Sequence, residues 1–504
     1  MQRKQLTLVI VSLLVVVLSV SLAYFTAQII GKGKDVSVTS ANLQIVFTDS
    51  DGALTETDIE PGWSATKTFT IKNDTKTEYK YNIVIKDLLN TFVTNGYLQY
   101  KITSTNGGYN MTEFKDIPKS SIATDTILAY SVVIPNGVTQ SYTIEFKYAN
   151  DESVDQSDDM GRKLSGTLFI TEGTEPTLLS QILNDNPTRN TRDTYDTVFT
   201  TDTTGTLFTA TEKNVHNIAD TTVYYYAGNT TNNWVKFAGY YWRIIRTNAD
   251  GSVRLLYSGT EAEGTTGTNG MINTSTAFNS SYNSPKYAGY MYGENDDTLA
   301  NARTNTNNST IKTAIDNWYA SNMTSYTKYL STTAVYCSDR TEQTSGTYTT
   351  STSSSFYYAP NARASSYAPT YDCTEASDAF SGSNTSAKLT YPIALMTVDE
   401  IMRAGGKAGT SLTSPYAWYY LNSANGSITG DTWWWLLSPY YWNGSYANVF
   451  SVYGSSYPGY LNGTNVNDTG GVRPAVSLKS CVKTSGGDGS ANSPYTIEES
   501  TSGC

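Results

Sequence analysis

One histidine, His216, and four cysteines serve the whole 504-residue chain, and both scarcities narrow its chemistry. Catalytic triads, imidazole-rich metal sites and most general-base schemes need histidine. His216 stands alone in the polar stretch Lys213-Asn214-Val215-His216-Asn217, which reads as a solvated loop. No Cys-x-x-Cys occurs, which argues against zinc ribbons and thioredoxin-like redox sites, and neither a metal site nor a cofactor is expected. Charge is also sparse, at 16% of residues, and it is acidic: 34 Lys and Arg stand against 45 Asp and Glu. A nucleic-acid partner is not expected, because neutralising phosphates needs a cationic face. Tyrosine, in contrast, is abundant, with 40 residues, and 39% of the chain is hydrophobic. That is enough to bury cores in two to four domains, and a Tyr-, Thr-, Ser- and Asn-rich composition is typical of all-β extracellular chains.

Arg3 and Lys4 precede an apolar run from Leu6 to Ile30. As a helix rising about 1.5 Å per residue, the run is long enough to cross a hydrocarbon core of about 30 Å. Residues 1–34 are therefore read as a helical signal peptide or membrane anchor. Small residues in Ser21-Leu22-Ala23 favour cleavage after Ala23, whereas the length of the run favours retention. Either way the remainder lies outside the cytoplasm, tied to the cell envelope through its N-terminus if the anchor stays. Disulfides persist in such compartments. Of the three possible connectivities, the sequence-local one, Cys337 with Cys373 and Cys481 with Cys504, is expected, as structural staples.

Residues 35–172 hold about seven short alternating runs: Asn42–Phe47, Thr66–Ile71, Tyr81–Ile85, Leu98–Ile102, Ile127–Ile134, Tyr142–Phe146 and Leu164–Ile170. Turn dipeptides separate them, and no long amphipathic helix intervenes, so an antiparallel β-sandwich or jelly roll is expected. The exit Ala23-Tyr24-Phe25, then Ala41-Asn42-Leu43, Ile59-Glu60-Pro61-Gly62-Trp63 and Lys67-Thr68-Phe69-Thr70-Ile71-Lys72-Asn73 give this segment a family pattern. In that order of elements it resembles the camelysin and TasA family of secreted Gram-positive surface and biofilm-fibre proteins. The resemblance implies a jelly roll, signal removal by a dedicated peptidase, and self-assembly by donation of an N-terminal strand. A sandwich that only spaces the next domain from the envelope is the alternative. With no histidine and no HExxH in the segment, no protease activity is carried over.

After a linker at 173–177, residues 178–504 read as an α+β domain. Leu178–Leu183 and Ile311–Tyr319 have helical spacing, and Thr397 to Gly406 shows an N-cap Thr, a capping-box Glu400 and a glycine stop. Phe237–Arg246, a turn at Asn248–Gly251 and Val253–Tyr257 form a hairpin pattern. Trp433-Trp434-Trp435-Leu436-Leu437-Ser438-Pro439, followed later by Gly471-Val472-Arg473-Pro474-Ala475-Val476-Ser477-Leu478, is the strongest signature. It resembles the ending of an uncharacterised secreted-protein domain, similar in turn to C-type-lectin-like and formylglycine-generating-enzyme-like domains. The resemblance implies a lectin-like fold without carried-over catalysis, since the cysteines are assigned to loops. The calcium motifs of sugar-binding C-type lectins are missing. Trp434, Trp435 and Arg473 are expected to be structural, the arginine holding carbonyls or a carboxylate.

Between those anchors, residues 440–462 carry six Tyr, three Asn and four Ser. Tyr and Ser offer large amphipathic contact area and adaptable hydrogen bonding at low entropy cost. Tyr440, Tyr441, Trp442, Asn443, Tyr446, Asn448, Tyr453, Tyr457 and Tyr460 are the expected ligand contacts, for a glycan or a protein. The leading expectation is therefore a surface-displayed, adhesin-like binding protein rather than an enzyme. The alternative is a fibre or biofilm-matrix subunit. The carboxylate pairs Asp399-Glu400 and Asp296-Asp297 read as a helix N-terminus and a solvated turn.

Overall fold

The computed structural model describes residues 26–30, 36–40, 43–49, 53–56, 59–94, 96–262, 269–343, 346–412, 418–420, 433–454, 457–500 and 503–504. The expected processing site at Ser21-Leu22-Ala23 and the apolar run up to residue 25 lie outside them. The chain is mainly β. It divides into two compact units, Met1–Glu175 and Pro176–Cys504.

The first unit is a two-sheet sandwich of eleven strands: β1 Thr26–Ile30, β2 Val36–Ser40, β3 Leu43–Asp49, β4 Ala53–Glu56, β5 Ser64–Asn73, β6 Tyr79–Asn90, β7 Leu98–Ser104, β8 Lys115–Asp116, β9 Ser120–Ile134, β10 Thr139–Tyr148 and β11 Lys163–Glu172. One sheet runs β4-β1-β11-β6-β9 and the other β2-β3-β5-β10-β7-β8. All seven runs expected from the sequence are strands. Period-2 alternation explains their faces: in β10, Tyr142, Ile144 and Phe146 point into the core while Ser141, Thr143 and Glu145 do not. Phe69 and Ile71 of β5 and Leu168 and Ile170 of β11 join the same core.

Two expectations for this unit need correction. Thr26–Ile30, read as the end of a membrane-crossing helix, is a strand between β4 and β11. Apolar and β-branched residues read alike in lipid and in a sheet, so the hydropathy of the run Leu6–Ile30 did not distinguish Thr26–Ile30 as a strand. The sandwich therefore begins before residue 35. Pairing is also not wholly antiparallel, because β1 runs parallel to β11 with Thr26 opposite Lys163 and Ile29 opposite Gly166. Among the described residues no helix is long and apolar enough to cross a membrane.

Residues 173–177 are hydrogen-bonded into their own units. Gly173 N–H donates to Lys80 O at 2.9 Å in the first, and Pro176 O accepts from Thr484 N–H at 2.9 Å in the second.

The second unit contains a ten-stranded and a six-stranded sheet. Tyr240–Thr247 and Val253–Tyr257 form the expected hairpin, and Val253–Tyr257 pairs onward with Pro474–Leu478. The run Phe237–Arg246 is not continuous. Ala238 and Gly239 take positive φ and make a two-residue turn back onto Trp234–Phe237. The expected helices form at Leu178–Asp185, Thr310–Asn322 and Val398–Ala404. The last has both capping-box bonds and ends at Gly405. Ala359–Ser366 is a further helix that the sequence reading lacks. Both expected disulfides are present, Cys337–Cys373 and Cys481–Cys504, with Cα–Cα distances of 5.9 and 5.7 Å.

Candidate functional site

The six-stranded sheet of the second unit supplies the support. Strand Trp434–Trp442 pairs with Ala447–Val452, which pairs with Leu461–Asn465, and the two-residue strand Phe356–Tyr357 adds to the other edge of Trp434–Trp442. Trp434, Trp435, Leu436 and Leu437 are wholly buried. Trp435 Nε1 donates to Thr276 O at 2.8 Å, and the Arg473 guanidinium lies 4.9 Å from the Trp434 ring. Arg473 is itself buried and donates to the carbonyls of Tyr419, Tyr257 and Gly270 at 2.9 to 3.3 Å. Burial pushes its pKa down to about 9. The three residues hold strands and loops together, and carbonyls are the arginine's hydrogen-bond partners.

On this support two groups of tyrosines come together. Tyr357 lies opposite Tyr441 in the strand register, their rings stacked at 4.2 Å and 27°. Tyr440 packs edge-on against Tyr357 at 5.7 Å and against Phe450 at 4.8 Å. Its ring lies flat across Gly463, where a Cβ would stand 1.8 Å from Tyr440 Cδ1, so only glycine admits the ring there. Tyr460 contacts Tyr453 at 5.9 Å and Tyr457 at 5.8 Å. Partial burial raises the Tyr440 pKa, and the phenols of Tyr357, Tyr460, Tyr441 and Tyr453 raise it further; the Tyr440 ring over Gly463, three residues after Tyr460, sets both groups on one sheet. Tyr457 is 58% exposed and Tyr357 38%, while the other four rings are half-buried. Rings anchored by one face with hydroxyls and edges left open suit contact with a ligand, not proton transfer.

Four expected contacts do not belong to this surface. Trp442 is 1% exposed, opposite Phe356, with its indole N–H directed to Ser351 O at 3.4 Å. Asn448, 7% exposed, sits between Tyr441 and Asn465 in the sheet and donates to Tyr446 O at 3.0 Å. Both are interior residues: Trp442 belongs to the hydrophobic core of this unit, and Asn448 is buried on its strand. Tyr446 stacks on Tyr282 at 4.8 Å, a second pair distinct from the six rings. Asn443 is exposed, but its Oδ1 accepts from the N–H groups of Ser445 and Tyr446 and so shapes the turn. The sequence reading missed Tyr357 and Tyr282. Phe356-Tyr357-Tyr358 is a strand-like aromatic run, yet nothing in it reveals which strand it joins.

The acidic pairs are occupied. Glu400 accepts from Arg246 Nε at 2.9 Å, Arg254 Nη1 at 2.6 Å and the Thr397 N–H at 3.0 Å. Burial would raise its pKa, but Arg254 and Arg246 more than reverse this and hold the carboxyl below its usual value. Glu212 bonds the far side of Arg246 at 2.7 Å. Asp399 takes two bonds from Arg363, at 2.8 and 3.0 Å, and the same arginine reaches Asp339. A cavity of about 20 Å³ remains among these groups, which is about one water. Asp296 accepts from the Ser284 hydroxyl and Asp297 from Asn301 Nδ2 at 2.6 Å. His216 is exposed, with Nε2 2.9 Å from the Ser381 hydroxyl. Among the described residues no cluster of His, Cys, Asp and Glu is arranged to hold a metal ion.

No protein-family model matches the chain, and no curated protein matches it. Among solved structures it is similar to one described as "AvmM Catalyzes Macrocyclization in Alchivemycin A Biosynthesis", at 10% identity, over 29% of this chain and 100% of that one, with a TM-score of 0.15. A likeness of that size carries no argument about fold or activity.

Proposed function

We propose that this is an exported, adhesin-like binding protein whose second unit captures a glycan or a protein through Tyr357, Tyr440, Tyr441, Tyr453, Tyr457 and Tyr460. The observation that carries the reading is the gathering of these six rings, from three separate stretches of chain, over a sheet whose tryptophans are buried. A surface held rigid before contact loses little entropy on binding. The two disulfides favour an oxidising, extracellular setting. The test is binding of the full chain to glycan and extracellular-protein arrays, compared with Tyr441→Ala/Tyr457→Ala and with Tyr446→Ala. The first variant should lose the wild-type signal and the second should keep it; no wild-type signal on either array would count against the reading.

A second reading, a fibre or matrix subunit, has one observation in its favour. Among the described residues β9 is a 15-residue edge strand, paired on one side only with β6 and exposed over residues 121–125. Such an edge is a template for a further strand. Purified protein that stays monomeric at high concentration would count against assembly.

A further inference from the structure

We infer that the outer face of the six-stranded sheet in the first unit carries a separate binding site, a hydroxyl-lined depression that takes a neutral polysaccharide chain. Strand register builds it. Thr68 of β5 is opposite Thr143 of β10, which is opposite Thr103 of β7; in the next row Thr70 is opposite Ser141, whose carbonyl accepts from the Thr105 N–H at 2.9 Å. Their chain neighbours Phe69, Tyr142 and Ile102 point into the core, so these six side chains share the outer face. With strands about 4.8 Å apart and alternate residues about 6.8 Å apart, the six hydroxyls form a regular lattice.

The lattice lines a depression of about 370 Å³, open to solvent. Ligand sites typically measure about 300–1,000 Å³. No charged side chain lines it. The neighbouring rows of the same strands do carry charge: Lys101 and Glu145 face each other on one side, and Lys72 lies opposite Thr139 on the other. Strand propensity alone accounts for threonine here but not for a charge-free window two rows deep between charged rows. The hydroxyls of Thr70, Thr103, Ser141 and Thr143 bond to no other described residue, which leaves them for solvent or ligand.

Chemistry selects the occupant. A threonine hydroxyl both donates and accepts, as a sugar hydroxyl does, and its methyl offers an apolar patch to a sugar's C–H face. An anionic polymer would need cations that the depression lacks, and a polypeptide strand would add to a sheet edge rather than to this face. An open trough crossing three strands suits an extended chain.

The experiment is affinity electrophoresis of the full chain in native gels containing hydroxyethylcellulose, dextran, galactomannan or polygalacturonate. Retardation is expected in at least one neutral gel and not in polygalacturonate. Thr143→Val/Thr103→Val removes two hydroxyls and keeps the branched shape and strand propensity, so the fold is retained; it should weaken retardation about tenfold. Thr167→Val, on β11 of the other sheet, should leave it unchanged, and the loss in Thr143→Val/Thr103→Val separates this site from the tyrosine surface. No retardation in any neutral gel, undiminished retardation of the Thr143→Val/Thr103→Val variant, or an equal loss in Thr167→Val would each overturn the assignment.

Discussion

Replacing Gly463 with alanine tests whether the Tyr440 ring lies where the contact surface requires it. An ideal Cβ at Gly463 falls 1.8 Å from Tyr440 Cδ1 and 2.3 Å from Cε1. Non-bonded carbons settle at about 3.5–4.0 Å, so the ring must move by roughly 1.5 Å or more. Phe450, at 4.8 Å, packs against the same ring and restricts how it can yield. Overpacking of this kind costs about 1–3 kcal/mol. Gly463 does not have a positive φ, so the backbone itself accepts alanine. Without the ring the same change should be neutral or stabilise by about 0.4–1 kcal/mol, through the unfolded chain. Urea unfolding of wild type, Gly463→Ala, Tyr440→Ala and the double variant gives the coupling. Tryptophan fluorescence reports chiefly on the second unit, which holds every tryptophan except Trp63. A coupling of at least about 1 kcal/mol is expected; equal costs in both backgrounds, within about 0.5 kcal/mol, would refute the placement of the ring.

Other perturbations probe the frame beneath that surface. Glu400→Gln leaves Arg246 and Arg254 short of their shared buried anion and should cost about 3–5 kcal/mol. Because the folded Glu400 pKa lies below its ordinary 4.5, its stabilisation is fully present above that value and is lost as pH falls through the depressed one. Melting temperature followed into acid should therefore fall less steeply for Glu400→Gln than for wild type; equal slopes would remove Glu400 from the account. Cys337→Ser/Cys373→Ser opens a loop closed over a separation of 36 residues. The chain-entropy model gives a loss of about 4 kcal/mol, measurable by denaturant unfolding, and an unchanged midpoint would contradict it. Trp442→Ala should lower stability by about 3–5 kcal/mol, as for any buried indole, and a variant as stable as wild type would put that ring back on the surface.

Patterns that are local in sequence were legible, and those set by distant pairing were not. Seven sandwich strands followed from alternation, and Val398–Ala404 followed from Thr397, Glu400 and Gly405, because capping is settled within a few residues. The burial of Trp434 and Trp435 was also legible, since a run of large apolar residues must find a core. Thr26–Ile30 was misread because apolar residues do not say whether lipid or a neighbouring strand will cover them. Trp442 and Asn448 look like contact residues by type. Their burial is set by the packing of the whole unit, with Trp442 inside its core, and not by residue type. Tyr357 joins Tyr440 and Tyr441 from about 80 residues upstream, a proximity that only the fold supplies.

The surface itself is tested most directly by hydroxyl-radical footprinting of the full chain, free and bound to whichever array ligand it captures. Protection is expected at Tyr357, Tyr441 and Tyr457 together, with Tyr282 and Tyr446 oxidised equally in both states. Protection confined to Tyr282 and Tyr446, or no change at the first three, would contradict the claim that the six gathered rings make the contact.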